Sequence, residues 1–99
     1  MAVVMRMSWP TVTPELYERV REIVQWEANP APGGLFHVAF FDEQGLNVVD
    51  VWETPEHFET FVNERLMPGV AEAGGVEAEP MVAITPAHAV FFPVQVTAA

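Results

Sequence analysis

The stretch Leu35-Phe36-His37-Val38-Ala39-Phe40-Phe41, continued by Asp42-Glu43-Gln44-Gly45 and then Leu46-Asn47-Val48-Val49-Asp50-Val51-Trp52, decides the fold. An apolar and aromatic run, a polar turn ending in glycine and a valine-rich return form a β-hairpin signature. Neither run alternates cleanly between apolar and polar residues, which predicts that both faces of the sheet are covered.

Upstream, Val3 to Met7 form a short apolar run that stops at Pro10, with the length and β-branched content of a strand. Between that strand and the hairpin, Thr13 is a good helix N-cap, Pro14 suits a first turn that has no use for an N–H, and Glu15 faces the positive end of the helix dipole. Leu16, Val20, Ile23 and Val24 then share one face of a helix. Pro30, Pro32, Gly33 and Gly34 predict that it ends before Asn29. After the hairpin the same opening recurs as Thr54-Pro55-Glu56, with Phe58, Phe61 and Val62 as the buried stripe. Pro68 is expected to end or kink this helix near Met67, with Gly69 to Gly75 as a loop that can hold a short helical turn. Met81 to Thr85 reads as the last core strand, and Ala87 to Val96 as a further extended segment beyond Pro86.

The predicted order is βαββαβ. Two right-handed strand–helix–strand units joined by a hairpin give an α+β, ferredoxin-like domain over residues 1–99, with an antiparallel four-stranded sheet, both helices on one face, and 88–99 as a C-terminal extension. The other face is left bare. In a chain that is 51% hydrophobic and 18% charged, a bare sheet face calls for a second copy related by a two-fold axis, a dimeric α+β barrel. Val90, Phe91, Phe92 and Val94 are expected to cross to that partner and seal the barrel's rim.

The formal net charge is −10, from four arginines, no lysine and fourteen acids. Nucleic acid and anionic membrane surfaces are thereby excluded as main partners, since binding them relies on neutralising phosphate with Lys and Arg. There is no cysteine, so disulfides, thiolate metal sites and cysteine nucleophiles are unavailable. No stretch reaches the 18 or so apolar residues of a membrane span, and Met1 to Pro10 lack a signal-peptide core. A cytoplasmic location is the default expectation.

At Trp52-Glu53-Thr54-Pro55-Glu56-His57-Phe58, preceded by Val48-Val49-Asp50-Val51, the chain resembles the dimeric α+β barrel superfamily, nearest to the antibiotic-biosynthesis monooxygenase-like proteins. In that superfamily a tryptophan commonly closes the third strand, an acid and a small polar residue follow, and an aromatic sits in the first turn of the second helix. The resemblance spans residues 3–86 in element order and this stretch in residue identity, so it speaks to fold before chemistry. It implies a ligand between the helices and the sheet. Its characterised members include cofactor-independent quinone-forming monooxygenases, haem-degrading enzymes and muconolactone-isomerase-like proteins. The haem-degrading branch requires an Asn on the first strand, a Trp ending the third and a His about ten residues beyond it. Of these only Trp52 matches; Met5, Arg6 and Met7 occupy the first strand and Val62 stands in place of the axial His, so haem has no proximal ligand here.

Three histidines are present, none at a metal-ligand spacing such as H-x-x-x-H. His57, near a helix start, reads as exposed and tolerated, and His88 as a cavity-mouth or dimer contact. His37 interrupts an apolar strand: it is either a satisfied core histidine or a general base in a pocket. Asp50 and Arg6 are charges within strands, where a lone charge is costly unless paired. The first and third strands are neighbours in this topology, so the two are expected to pair across the sheet, as a structural ion pair or as the polar anchor of a site. Trp52, Tyr17, Trp9 and Phe58 belong to an aromatic set larger than a small core needs, which suits a wall for a planar ligand. Glycine pairs at 33–34 and 74–75 read as turns.

The resulting expectation is a protein handling a hydrophobic, aromatic or polyketide-like molecule, with cofactor-independent oxygenation as its leading reaction: His37 as base, Trp52 and Tyr17 as wall, Asp50 and Arg6 as anchor, and no cofactor or metal. Two alternatives stand beside it, a non-catalytic ligand-binding or dimerisation domain and a cofactor-free isomerase or cyclase.

Overall fold

A computed structural model describes residues 1–93. The elements run β1 (Val3–Trp9), α1 (Pro14–Val24), β2 (Gly34–Asp42), β3 (Gly45–Trp52), α2 (Pro55–Phe61), a π-helical turn (Val62–Leu66), α3 (Met67–Glu72) and β4 (Met81–Pro86). The four strands form one antiparallel sheet in the order β2-β3-β1-β4. This is the ferredoxin-like arrangement, with the helices on one face.

Both helices open as their sequences dictate. The Thr13 and Thr54 hydroxyls accept hydrogen bonds from the backbone N–H of Leu16 and His57, each followed by a first-turn proline and a glutamate. Asp42 accepts from the Gln44 N–H, and Gly45, at φ +100°, lies so close to Pro10 that a Cβ would meet its backbone at 2.7 Å. The turn is therefore two residues long, and it fixes the hairpin register. Met5, Met7, Trp9, Val48, Trp52, Val20, Phe58 and Val70 are core members, with Met5 1% exposed.

Two sequence expectations need correction. Pro68 does not end the second helix. At the preceding turn the Met67 N–H reaches back to the Val62 carbonyl, and this widening lets Pro68 enter the first turn of α3, where its missing N–H costs little. Gly69 is accordingly helical and buried, within a helix that runs to Glu72. A Cβ there would stand 2.5 Å from Val24 Cγ2, so its lack of a side chain sets the approach of α3 to α1.

Within the single chain the two faces of the sheet differ. In β3, Leu46, Val48, Asp50 and Trp52 are buried beneath the helices, and the residues between them are only partly covered. β2 is an edge strand, exposed along most of its length, and Phe36, Val38 and Phe40 lie open on the face away from the helices. A mixed run of apolar residues thus reflects one buried face and one apolar face without cover.

The second correction concerns Arg6. It stands opposite Val49 and Ala83, whereas Asp50 stands opposite Met5 and His37. Successive side chains leave a strand on opposite faces, so this one-residue offset puts Arg6 on the face away from the helices and Asp50 beneath them. The two do not pair. At the C-terminus, Val90, Phe91 and Phe92 are exposed and outside any strand, and Phe92 stacks on Phe36 of its own chain at 5.7 Å. Val94 lies outside the described residues.

Candidate functional site

Asp50 is the buried charged side chain among the described residues. Its carboxylate is held from two sides: His37 Nδ1 lies 2.6 Å from Oδ1, and the Trp52 indole N–H donates to Oδ2 at 3.1 Å. The first partner comes from the hairpin register, which seats His37 directly opposite Asp50. The second comes from the two-residue strand repeat, which puts Asp50 and Trp52 on one face. The Asp50 side chain is 8% exposed and that of His37 36%, so the pair runs from the interior to the rim.

A carboxylate can only accept, so Nδ1 of His37 carries the proton and Nε2 is the acceptor. The Tyr17 hydroxyl donates to that Nε2 at 2.8 Å. Tyr17 is seated by the Trp26 and Phe41 rings, with centroids at 5.6 and 6.2 Å. Burial pushes its phenol up to about 12, with Arg21 pulling the other way and Glu18, Asp50 and Glu27 adding to the rise. The result is a continuous hydrogen-bonded line, Tyr17–His37–Asp50–Trp52.

This line forms part of the wall of a cavity of about 300 Å³ between the helices and the sheet. Met5, Met7 and Val48 line it from the sheet, and Leu16, Val20, Phe58, Phe61 and Val70 from the helices. The three tryptophans line it too, and two of them are tethered: Trp52 by Asp50, and Trp9 by its indole N–H to the Ala78 carbonyl at 2.6 Å. Glu27, Pro30, Gly34, Leu35, Phe36 and His37 are its exposed members and mark the mouth. Glu27 is bound by Arg21 through both guanidinium Nε and Nη2, and this hydrogen bonding holds its carboxyl below the usual range.

Of the residues singled out from sequence, His37, Asp50, Trp52, Tyr17, Trp9 and Phe58 all line the cavity. Arg6 is separated from it by the sheet. His57 is half-buried, not free: its Nδ1 meets the Thr54 hydroxyl at 2.7 Å and its ring covers Gly33. His88 is exposed. Glu27 was not foreseen, because it follows the helix in a loop with no periodic signal. Among the described residues no group of three or more His, Asp or Glu side chains converges in a metal-binding cluster, and no helix is long and apolar enough to cross a membrane.

The architecture is the ferredoxin-like fold, and solved structures share it over most of this chain. They include a dimeric ferredoxin-like protein of unknown function from Thermobifida fusca, 15% identical, with a TM-score of 0.60 over 85% of this chain and 89% of that one. SnoaB, a cofactor-independent oxygenase from Streptomyces nogalater, is 15% identical, with a TM-score of 0.58 over 90% and 93% of the two chains. A monooxygenase from the gene ActVA-Orf6 of Streptomyces coelicolor, in complex with nanaomycin D, is 20% identical, with a TM-score of 0.52 over 91% and 90%. At these identities the likeness is one of fold. No family model matches the sequence, and no curated protein matches it.

Proposed function

We propose that this protein is a homodimeric, cofactor-independent monooxygenase acting on a hydrophobic aromatic molecule held between its helices and its sheet. The observation that carries this reading is the His37–Asp50 pair, 2.6 Å apart, set into the wall of an otherwise apolar cavity. The fold it shares with two oxygenases supports it.

The chemistry follows from what the site offers. A substrate with an acidic phenol or enol enters the cavity and replaces the Tyr17 hydroxyl at His37 Nε2. His37 takes the substrate's proton, and Asp50 balances the imidazolium that forms. The substrate anion, shielded from water by the aromatic wall, passes electrons to dioxygen, and the two combine as a carbon-bound peroxide. Return of the proton and loss of water then leave a carbonyl, so that a ring CH₂ and O₂ become C=O and H₂O. Arg6, on the far face of the sheet, takes no part.

Dimerisation through the open sheet face is part of the same reading. Phe36, Val38, Phe40 and Met81 are exposed there, and sheet-on-sheet packing would cover them.

The test is oxygen uptake with a panel of phenols and anthrones, for the unaltered protein and for His37→Ala. Oxygen consumption with quinone formation is expected, falling by about 100-fold or more without the base. Uptake no greater than the uncatalysed background across the panel would overturn the reading.

A further inference from the structure

The cavity holds acids and no permanent cation, and this has consequences for what it can bind. The sequence contains four arginines and no lysine, and residues 94–99 carry no basic side chain. Each arginine is committed elsewhere. Arg6 is exposed on the opposite face of the sheet. Arg19 donates to the Ala73 carbonyl at the end of α3, and Arg65 to the Val24 carbonyl at the end of α1. Arg21 is clamped by Glu18 and Glu27. None of the four lines the cavity.

Asp50 in the wall therefore faces only one group that can become positive, the His37 imidazole, and Glu27 at the mouth is already paired with Arg21. Apart from the Trp26 indole, the side-chain donors on the wall are also occupied. The Trp52 and Trp9 indole N–H groups serve Asp50 and Ala78, and the Tyr17 hydroxyl serves His37. A ligand entering with a carboxylate would lose its hydration, meet the like charge of Asp50 and find no arginine or lysine fork to receive it.

We propose that the cavity selects aromatic ligands that enter uncharged and carry a weakly acidic hydroxyl, and rejects their carboxylated analogues. This rests on the cavity being the substrate site. The ligand's negative charge is created only inside, by transfer of its proton to His37, so the imidazolium and the new anion appear together. Entry and activation are thus separated: charge acquired in the cavity is compensated, whereas charge brought from solution is not.

Chrysophanol and rhein, the same dihydroxyanthraquinone frame bearing a methyl in one and a carboxylate in the other, test this by calorimetric titration of the full chain near neutral pH. Chrysophanol is expected to bind and rhein to bind at least about tenfold more weakly, the lower end of the penalty for an unpaired buried polar group. The Leu35→Arg variant, which adds a cation at the mouth, should narrow the ratio. Rhein binding as tightly as chrysophanol in the unaltered protein would overturn charge selection while leaving the cavity a ligand site. Binding of neither would remove both the selection and the ligand site on which it depends. Oxygen uptake is measured separately, so loss of the oxygenase reading alone would be recognised as such.

Discussion

His37 and Asp50 stand directly opposite one another across the β2–β3 hairpin, with Nδ1 and Oδ1 2.6 Å apart. Their contact is set by the backbone register and needs no loop to form it. Asp50→Asn keeps the shape of the side chain and removes the charge that balances a protonated His37. Turnover should fall by about 100-fold with little change in ligand affinity. A steady-state comparison with separate ligand titrations checks this; an unchanged turnover number would remove Asp50 from the mechanism.

Tyr17 is the one tyrosine in the chain, so phenolate absorbance reports on it alone. With its phenol pushed up to about 12 by burial, the folded protein should titrate well above the value near 10 of the unfolded chain. Between those limits the unfolded chain has lost the proton and the folded one retains it. Stability should therefore decline as pH rises through that window. Denaturant titrations at stepped alkaline pH, read beside the phenolate signal, test both statements.

Gly69→Ala places a methyl group 2.5 Å from Val24 Cγ2. A loss of about 1–3 kcal/mol is expected from overpacking. Combining it with Val24→Ala should recover part of that loss, and a double-mutant cycle would show the coupling. Additive effects would mean that the two helices separate without penalty.

Val38 lies in the middle of the open apolar face on β2. In the proposed homodimer Val38→Glu buries a charge against the partner sheet, and sedimentation should show the full-length protein shift from dimer to monomer. An unaltered chain that sediments as a monomer at micromolar concentration would contradict the dimer.

Most of the fold was legible because its signals are local. Thr13-Pro14-Glu15 and Thr54-Pro55-Glu56 announce helix starts through capping and the missing proline N–H, and both helices begin there. The pairing of His37 with Asp50 was legible too, from the two-residue turn at Glu43-Gln44. Counting outward from Asp42 opposite Gly45 brings residue 37 to residue 50. Sequence reading instead gave Asp50 to Arg6, because charge complementarity suggests partners without saying which face each occupies. What could not be read was the register between β1 and β3, which are distant in sequence and joined by no short turn. The passage of the helix through Pro68 was hidden for a different reason. A proline's penalty depends on the turn before it, and a π turn leaves no mark in composition.

That π turn at Val62–Leu66 also governs angular phase. Widening a helix by one residue per turn is equivalent to an insertion, and one residue is worth about 100° of rotation about the axis. Everything beyond it, including Gly69 against Val24 and Val70 in the cavity wall, is aimed by that extra residue. Deleting a single position between Val62 and Leu66 would straighten the helix and swing both residues away from α1 and the cavity. A compensating insertion a turn later would swing the segment beyond it back. A chain built this way can re-aim the far wall of its binding chamber by gaining or losing one residue, without changing a side chain inside it.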